Sequence, residues 1–197
     1  MRIRFLLLLL GCWLAVQAQA ATVMVFGDSL SAGYGLRPGE GWVSLLARDL
    51  GPKHHVINAS QSGETSAGGL TRLPAALAQH KPDVVILALG GNDGLRGLPL
   101  DALRANLASM VALTRQQHAR PLLAGIELPP NYGQRYTRDF ASVYTGLARQ
   151  QRVPLVPSLV AGFGANAALF QNDGIHPVAA AQPLIVKLVE PRLRPLL

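Results

Sequence analysis

The sequence has almost no cysteine: one in 197 residues, at position 12. A disulfide framework within the chain and a metal site built on several thiolates are therefore excluded. The sequence also contains no His-Glu-x-x-His pattern and no cluster of cysteine and histidine, so nothing in it requires a metal. We expect neither a metal nor an organic cofactor.

Charged residues are scarce as well, at 15% of the chain against 49% for hydrophobic residues. The net charge is +7, but the basic residues stand singly, without a basic tract or interleaved aromatic residues. That pattern favours a solvated basic surface over a nucleic-acid-binding one. The composition is that of a globular protein, and the length suits one domain with a full core.

The N-terminus carries the layout of a secretory signal peptide. A short basic start is followed by an apolar stretch over 5–16, and Ala18-Gln19-Ala20 is a small-x-small cleavage site. We therefore expect a cleaved signal over residues 1–20, too short for a membrane span, and a single domain over 21–197.

The signal predicts export, most simply to the periplasm of a bacterium, with no stable membrane insertion afterwards. A lipoprotein signal with a lipid on Cys12 is the alternative, although it would leave an apolar start to the mature chain. Nothing in the sequence demands a dimer, so we expect a monomer.

Short apolar segments alternate with longer amphipathic ones along the rest of the chain. Strands are predicted over 22–26, 54–59, 83–89, 121–126 and 153–156, and helices over 41–50, 70–80, 101–118, 134–151 and 178–190. Pro74 is expected to confine the regular part of its helix to the residues after it, and Pro183 to lie in or near a first turn.

This alternation predicts an α/β fold. We expect a three-layer α/β/α sandwich with a five-stranded parallel sheet of flavodoxin-like order 2-1-3-4-5. Functional residues in such sheets lie at the carboxyl ends of the strands. Small polar segments do follow the first three predicted strands, at 27–29, 58–64 and 90–93, and a polar loop, Asp-Gly-Ile-His-Pro, comes late in the chain at 173–177.

These segments offer the parts of a serine hydrolase. Ser29 is a nucleophile if a base takes its proton, His176 can be that base, and Asp173 can orient it from three residues away on one tight loop. The backbone N–H groups of Gly63 and Ser29 and the amide of Asn92 can stabilise the oxyanion. Taken singly each residue has a structural explanation, and Ser29 alone would most often be a helix N-cap.

Two carboxylates accompany these residues without an obvious catalytic role. We expect Asp28 and Asp93 to hold the loop backbone by accepting N–H bonds.

The chain resembles the SGNH hydrolase superfamily, also called GDSL esterases. Ser29 in "FGDSLSAGYG", Gly63 in "NASQSGETS", Asn92 in "LGGND" and His176 in "DGIHP" match its four blocks, in order, over almost the whole mature chain. On "GGNDGLRGLP" and "LPPNYG" it is most similar to the exported bacterial group of acyl-CoA thioesterases, lysophospholipases and arylesterases. Glu64 departs from the pattern, because many relatives have Asp after the glycine.

The resemblance implies a serine esterase and thioesterase that hydrolyses aryl esters, acyl-CoA or lysophospholipids through an acyl-Ser29 intermediate. By the resemblance, His176 and Asp173 complete the triad, and Ser29, Gly63 and Asn92 form the oxyanion hole.

Apolar loops near the site predict a groove for an acyl chain. Leu95, Leu98 and Leu100 follow Asn92, and 128–133 follow the fourth strand, although these leucines could instead pack the loops down. By the resemblance, we expect the small-molecule partner to be an acyl ester or thioester. A carbohydrate O-deacetylase and a non-catalytic flavodoxin-like binding module stay open as alternatives.

Overall fold

The computed structural model describes residues 20–197. Cys12 and all but the last residue of the predicted signal peptide lie outside the described residues. No helix within 20–197 is long and apolar enough to cross a membrane.

Five parallel strands form one sheet in the order β2-β1-β3-β4-β5, as predicted. They are β1 (Thr22–Gly27), β2 (His55–Asn58), β3 (Val84–Ala88), β4 (Arg120–Ala124) and β5 (Leu155–Val156). The chain reverses its winding direction between β1 and β3, which pair with Val23 opposite Val84. The carboxyl ends of these two central strands therefore meet at one edge of the sheet, where ligands bind in open α/β folds.

Seven α-helices surround the sheet within the described residues. They are α1 (Ser29–Ala32), α2 (Trp42–Leu50), α3 (Ser66–His80), α4 (Gly91–Leu95), α5 (Leu100–Gln116), α6 (Gln134–Gln151) and α7 (Gln182–Leu193). Short 3₁₀ turns lie at Pro130–Tyr132, Ala167–Leu169, Ala179–Ala181 and Arg194–Leu196.

The core lies in two layers, one on each face of the sheet. On β1, Val23 and Val25 pack on the face covered by α2 and α7, whereas Met24 and Phe26 pack on the face covered by α3, α5 and α6. All four side chains are fully buried. Strands buried on both faces carry continuous apolar runs, which explains why β1 and β3 are so evident in the sequence.

The prediction for Pro74 was wrong. Helix α3 begins at Ser66, where the Thr65 hydroxyl accepts a hydrogen bond from the Gly68 N–H, and it continues through Pro74. Pro74 lies on the exposed side of the helix. Water can therefore replace the N–H that proline lacks, and the apolar contacts of Leu73 and Leu77 hold the helix together.

One other helix prediction needs correction, and two short helices were not predicted. Helix α7 begins at Gln182 rather than residue 178, because a 3₁₀ turn precedes it, and Pro183 lies in its first turn as expected. The helices α1 and α4 were not predicted, because four or five residues carry no apolar period.

Candidate active site

Ser29 stands at the carboxyl end of β1, as the first residue of α1. Its own hydroxyl does not cap that helix. Asp28 does so, since its Oδ1 accepts a hydrogen bond of 3.1 Å from the Leu30 N–H. The N-cap interpretation of Ser29 is thereby wrong, and the hydroxyl is left available: its Oγ lies 2.8 Å from Nε2 of His176.

His176 and Asp173 are carried by one loop that folds back on itself. An antiparallel bridge joins Phe170 to Pro177, and the Gln171 N–H donates to the His176 carbonyl at 2.8 Å. Asp173 Oδ2 lies 2.7 Å from Nδ1 of His176. With a proton on Nδ1 directed at this carboxylate, Nε2 is the acceptor that faces the Ser29 hydroxyl.

The second oxygen of Asp173 is held by the backbone of the same loop. Oδ1 accepts hydrogen bonds of 2.9 and 3.0 Å from the N–H groups of Ile175 and His176. Partial burial works to raise the pKa of Asp173, but the hydrogen bonds from His176 and Ile175 outweigh it and lower that pKa below its ordinary value. Asp173 is therefore ionised at neutral pH and suited to balance a charged imidazole.

The pKa of Asp28 is shifted in the opposite direction from that of Asp173. Burial raises the pKa of this carboxyl to about 6, against lowering by the Leu30 N–H and by His176, while the charge of Asp93 raises it further. Asp28 also borders the loop after β3, because a side chain at Gly91 would begin 3.1 Å from its Oδ2. The loops after β1 and β3 are thus in direct contact.

The loop after β2 lies against the same edge. The Gln61 N–H donates to the Gly27 carbonyl at 3.0 Å, which places this loop beside the end of β1. Gly63 adopts a φ of 78°, a backbone conformation that side-chain-bearing residues rarely take. The Gly63 carbonyl accepts a hydrogen bond of 3.1 Å from Nη2 of Arg96, which holds the peptide bond between Gly63 and Glu64 in place.

Asn92 links the loops after β2 and β3. Its Nδ2 donates to the Glu64 carbonyl at 2.9 Å, which orients the side-chain amide. An amide nitrogen carries two hydrogens, so the second one can donate to another acceptor. The structure thus brings Ser29, Asp173 and His176 into one hydrogen-bonded chain and places Gly63 and Asn92 on adjoining loops of the same sheet edge.

Asp93 accepts a backbone N–H, as predicted, and it does so from a buried position. Its Oδ2 accepts from the Ser66 N–H at 2.8 Å, and its Oδ1 accepts from the Ser66 hydroxyl. Asn106 donates to that hydroxyl at 2.9 Å. All three elements α3, α4 and α5 are joined by this network, in which Asp93 and Ser66 are buried.

Glu64, the residue that departs from the family pattern, has a structural role. Its Oε2 pairs with Nε of Arg72 at 2.8 Å, and Nη1 of Arg72 donates to the Ala59 carbonyl at 2.8 Å. The guanidinium also lies 4.0 Å from the ring centroid of Phe26. Arg72 therefore anchors both ends of the loop that carries Gly63.

The leucines predicted to line a groove divide into two groups. Leu95 and Leu100 are half-buried and pack against the core, which agrees with the alternative that these leucines pack the loops down. Leu98 is exposed for 36% of its surface. The loop that carries it is held by Tyr132 and Tyr136, whose hydroxyls donate to the carbonyls of Leu95 and Gly94.

Sequence reasoning missed three residues around the site. Tyr34 packs its ring against His176, Gln171 donates to the Tyr34 carbonyl, and Gln182 bonds to the Pro177 carbonyl behind the histidine. Each contact joins segments far apart in the chain or depends on loop geometry. The only signal for Tyr34 was its place between Gly33 and Gly35 in the first motif.

Comparison with known proteins agrees with this architecture. The GDSL-like lipase/acylhydrolase family matches residues 25–183. Esterase TesA of Pseudomonas aeruginosa is 51% identical over 198 residues, which cover 97% of this chain and 98% of the relative. Thioesterase 1/protease 1/lysophospholipase L1 of Escherichia coli K12 is 43% identical over 179 residues, or 91% and 86% of the two chains. The crystal structure of TesA superposes with a TM-score of 0.86 at 51% identity, covering 89% of this chain and 99% of that one.

Proposed function

The chain belongs to the GDSL-like lipase/acylhydrolase family, and we propose that Ser29, His176 and Asp173 are its catalytic triad. The protein is a hydrolase of the esterase and thioesterase type. The observation that carries the proposal is the continuous chain from Ser29 Oγ through the imidazole to Asp173, at 2.8 and 2.7 Å.

The reaction proceeds in two steps. Ser29 Oγ attacks the carbonyl carbon as its proton passes to Nε2 of His176, and Asp173 balances the imidazolium through Nδ1. The oxyanion accepts hydrogen bonds from the N–H groups of Ser29 and Gly63 and from the Asn92 amide. The leaving oxygen or sulfur takes the proton from His176 and departs as an alcohol or thiol. The acyl group then stays bound to Ser29.

Water then completes the turnover. His176 takes a proton from water, whose oxygen attacks the acyl-Ser29 carbonyl, and returns that proton to Ser29 Oγ as the acid departs.

The substrates we propose are small acyl esters and thioesters: aryl esters, acyl-CoA and lysophospholipids. Leu98 is exposed, and its N–H donates to the carbonyl of Asp93, the residue after Asn92; this position supports an apolar acyl contact. The signal layout at residues 1–20 supports action outside the cytoplasm, where lysophospholipids and other envelope esters are available and acyl-CoA is scarce.

The nucleophile is tested by Ser29→Ala. The variant should fold with an unchanged circular dichroism spectrum and lose at least about 10³-fold of its kcat on p-nitrophenyl butyrate. Ser31→Ala is the matched control, since the Ser31 hydroxyl is buried without a hydrogen-bond partner in the described part of the chain and should not affect hydrolysis. Activity retained by Ser29→Ala would remove Ser29 from the nucleophile role.

The substrate class is tested with a panel that crosses head group with acyl-chain length. We expect hydrolysis to improve as the acyl chain lengthens beyond acetyl. A preference for acetyl esters of sugars, without that gain, would favour the O-deacetylase instead.

A further inference from the structure

Tyr34 is exposed for 53% of its surface, directly beside the imidazole of His176. The two ring centroids are 4.5 Å apart and the ring planes are inclined by 39°. Among the large hydrophobic side chains of residues 20–197, Leu98 is the only other exposed one, at 36%. Core packing does not account for an aromatic ring left open to solvent at this place.

The position of Tyr34 is fixed by both loops of the triad. Its N–H donates to the carbonyl of Ser29 at 3.2 Å, and its own carbonyl accepts from Nε2 of Gln171 at 2.8 Å. The next residue, Gly35, leaves no room for a side chain, because a Cβ there would lie 2.2 Å from Oε1 of Gln171. The backbone of Tyr34 is therefore held between the nucleophile and the loop of the base.

The chemistry of acyl transfer assigns a location to the leaving group. Its oxygen or sulfur must take a proton from Nε2 of His176, so it must come within about 3 Å of that nitrogen. In an aryl ester the aromatic ring begins at the atom next to this oxygen. The ring must then lie beside the imidazole, within reach of the side chain that already packs there.

We propose that Tyr34 forms a leaving-group subsite that favours aryl esters over alkyl esters of equally acidic alcohols. The inference rests on the proposed triad, since it places the leaving group by the proton that His176 donates. Tyr34 offers the exposed part of its ring to the aryl group in an offset or edge-to-face contact, which forms with centroids about 4.5–7 Å apart.

The test compares two acetate esters with leaving groups of similar acidity, phenyl acetate and hexafluoroisopropyl acetate. Both form the same acetyl-Ser29, so deacylation is common to them and kcat/KM reports acylation alone. Tyr34→Leu should lower the phenyl-to-hexafluoroisopropyl ratio of kcat/KM by about 2- to 10-fold. Tyr34→Phe is the matched control and should keep the ratio, because it retains the ring.

Two outcomes would overturn the inference. An equal fall for both esters in Tyr34→Leu would mean that Tyr34 only supports His176, and an unchanged ratio with unchanged rates would mean that the ring does not touch the leaving group. Failure of the triad itself is a separate result, because Ser29→Ala would then still hydrolyse both esters. Thermal melting of each variant checks that the fold is kept.

Discussion

Replacing Asp28 by asparagine should stabilise the protein at alkaline pH. Asp28 is 3% exposed, and its pKa is raised from 3.8 to about 6, with burial as the largest cause. A carboxyl whose pKa is higher in the folded state favours folding only while protonated. That contribution is lost as the pH rises from 3.8 through 6, and above 6 the buried charge is a cost.

The size of the effect can be worked out from the same values. Each tenfold change in acidity corresponds to about 1.4 kcal/mol, so a rise from 3.8 to about 6 sets an upper value of about 3 kcal/mol. Asparagine is as good an N-cap as aspartate, and its Oδ1 can still accept the Leu30 N–H. We therefore expect Asp28→Asn to gain about 1–3 kcal/mol in free energy of unfolding at pH 8 and close to nothing at pH 4.

Urea denaturation of the wild type and Asp28→Asn at pH 4, 6 and 8 measures this difference. The pH dependence of Asp173 is common to both proteins and cancels. Asp49→Asn, on the exposed side of α2, is the control for a change of net charge and should give a flat difference. A variant less stable than the wild type at pH 8, or a difference that does not grow with pH, would refute this account of Asp28.

Two further variants test the acyl contact and the support behind His176. Leu98→Lys should shift the acyl-chain-length profile of p-nitrophenyl esters towards short chains, because a charge replaces the exposed apolar contact; an unchanged profile would exclude Leu98 from the substrate site. Buried Gln182 accepts a hydrogen bond from the Trp42 N–H at 3.0 Å and donates one to the Pro177 carbonyl at 3.1 Å. Gln182→Met leaves both backbone groups unpaired, so it should lower the free energy of unfolding in urea by about 2–4 kcal/mol. A cost below about 0.5 kcal/mol would show that water or a neighbouring group replaces these bonds.

The sheet and the pairing of Asp173 with His176 were predictable because their signals are local. The approach of Ser29 to His176 across 147 positions was expected only from the family motifs and from the rule that sites lie at the carboxyl ends of the strands. Strands buried on both faces, such as β3, have to be apolar throughout, and strand–helix alternation then limits the topology. Asp173 and His176 lie within one short loop with an Asp-Gly turn signal, so their spacing in sequence already brings them together.

The contacts that the sequence did not reveal join distant segments. Gln182 meets Trp42 across 140 positions, and Gln171 meets Tyr34 across 137. No periodicity or spacing encodes such pairs. The prediction for Pro74 was wrong for a related reason. Proline propensity is a local rule, and the packing of the opposite face of the helix overrode it.

The loop bridged at Phe170 and Pro177 holds both the imidazole and its carboxylate partner. Hydrogen bonds from Gln171 to Tyr34, from Gln182 to Pro177 and between His176 and Ser29 tie it to the rest of the chain. Any displacement of the loop would move both side chains together, and Ser29 Oγ would lose its contact with Nε2 of His176. A substitution anywhere in this loop is therefore expected to act on the imidazole and on its carboxylate at once.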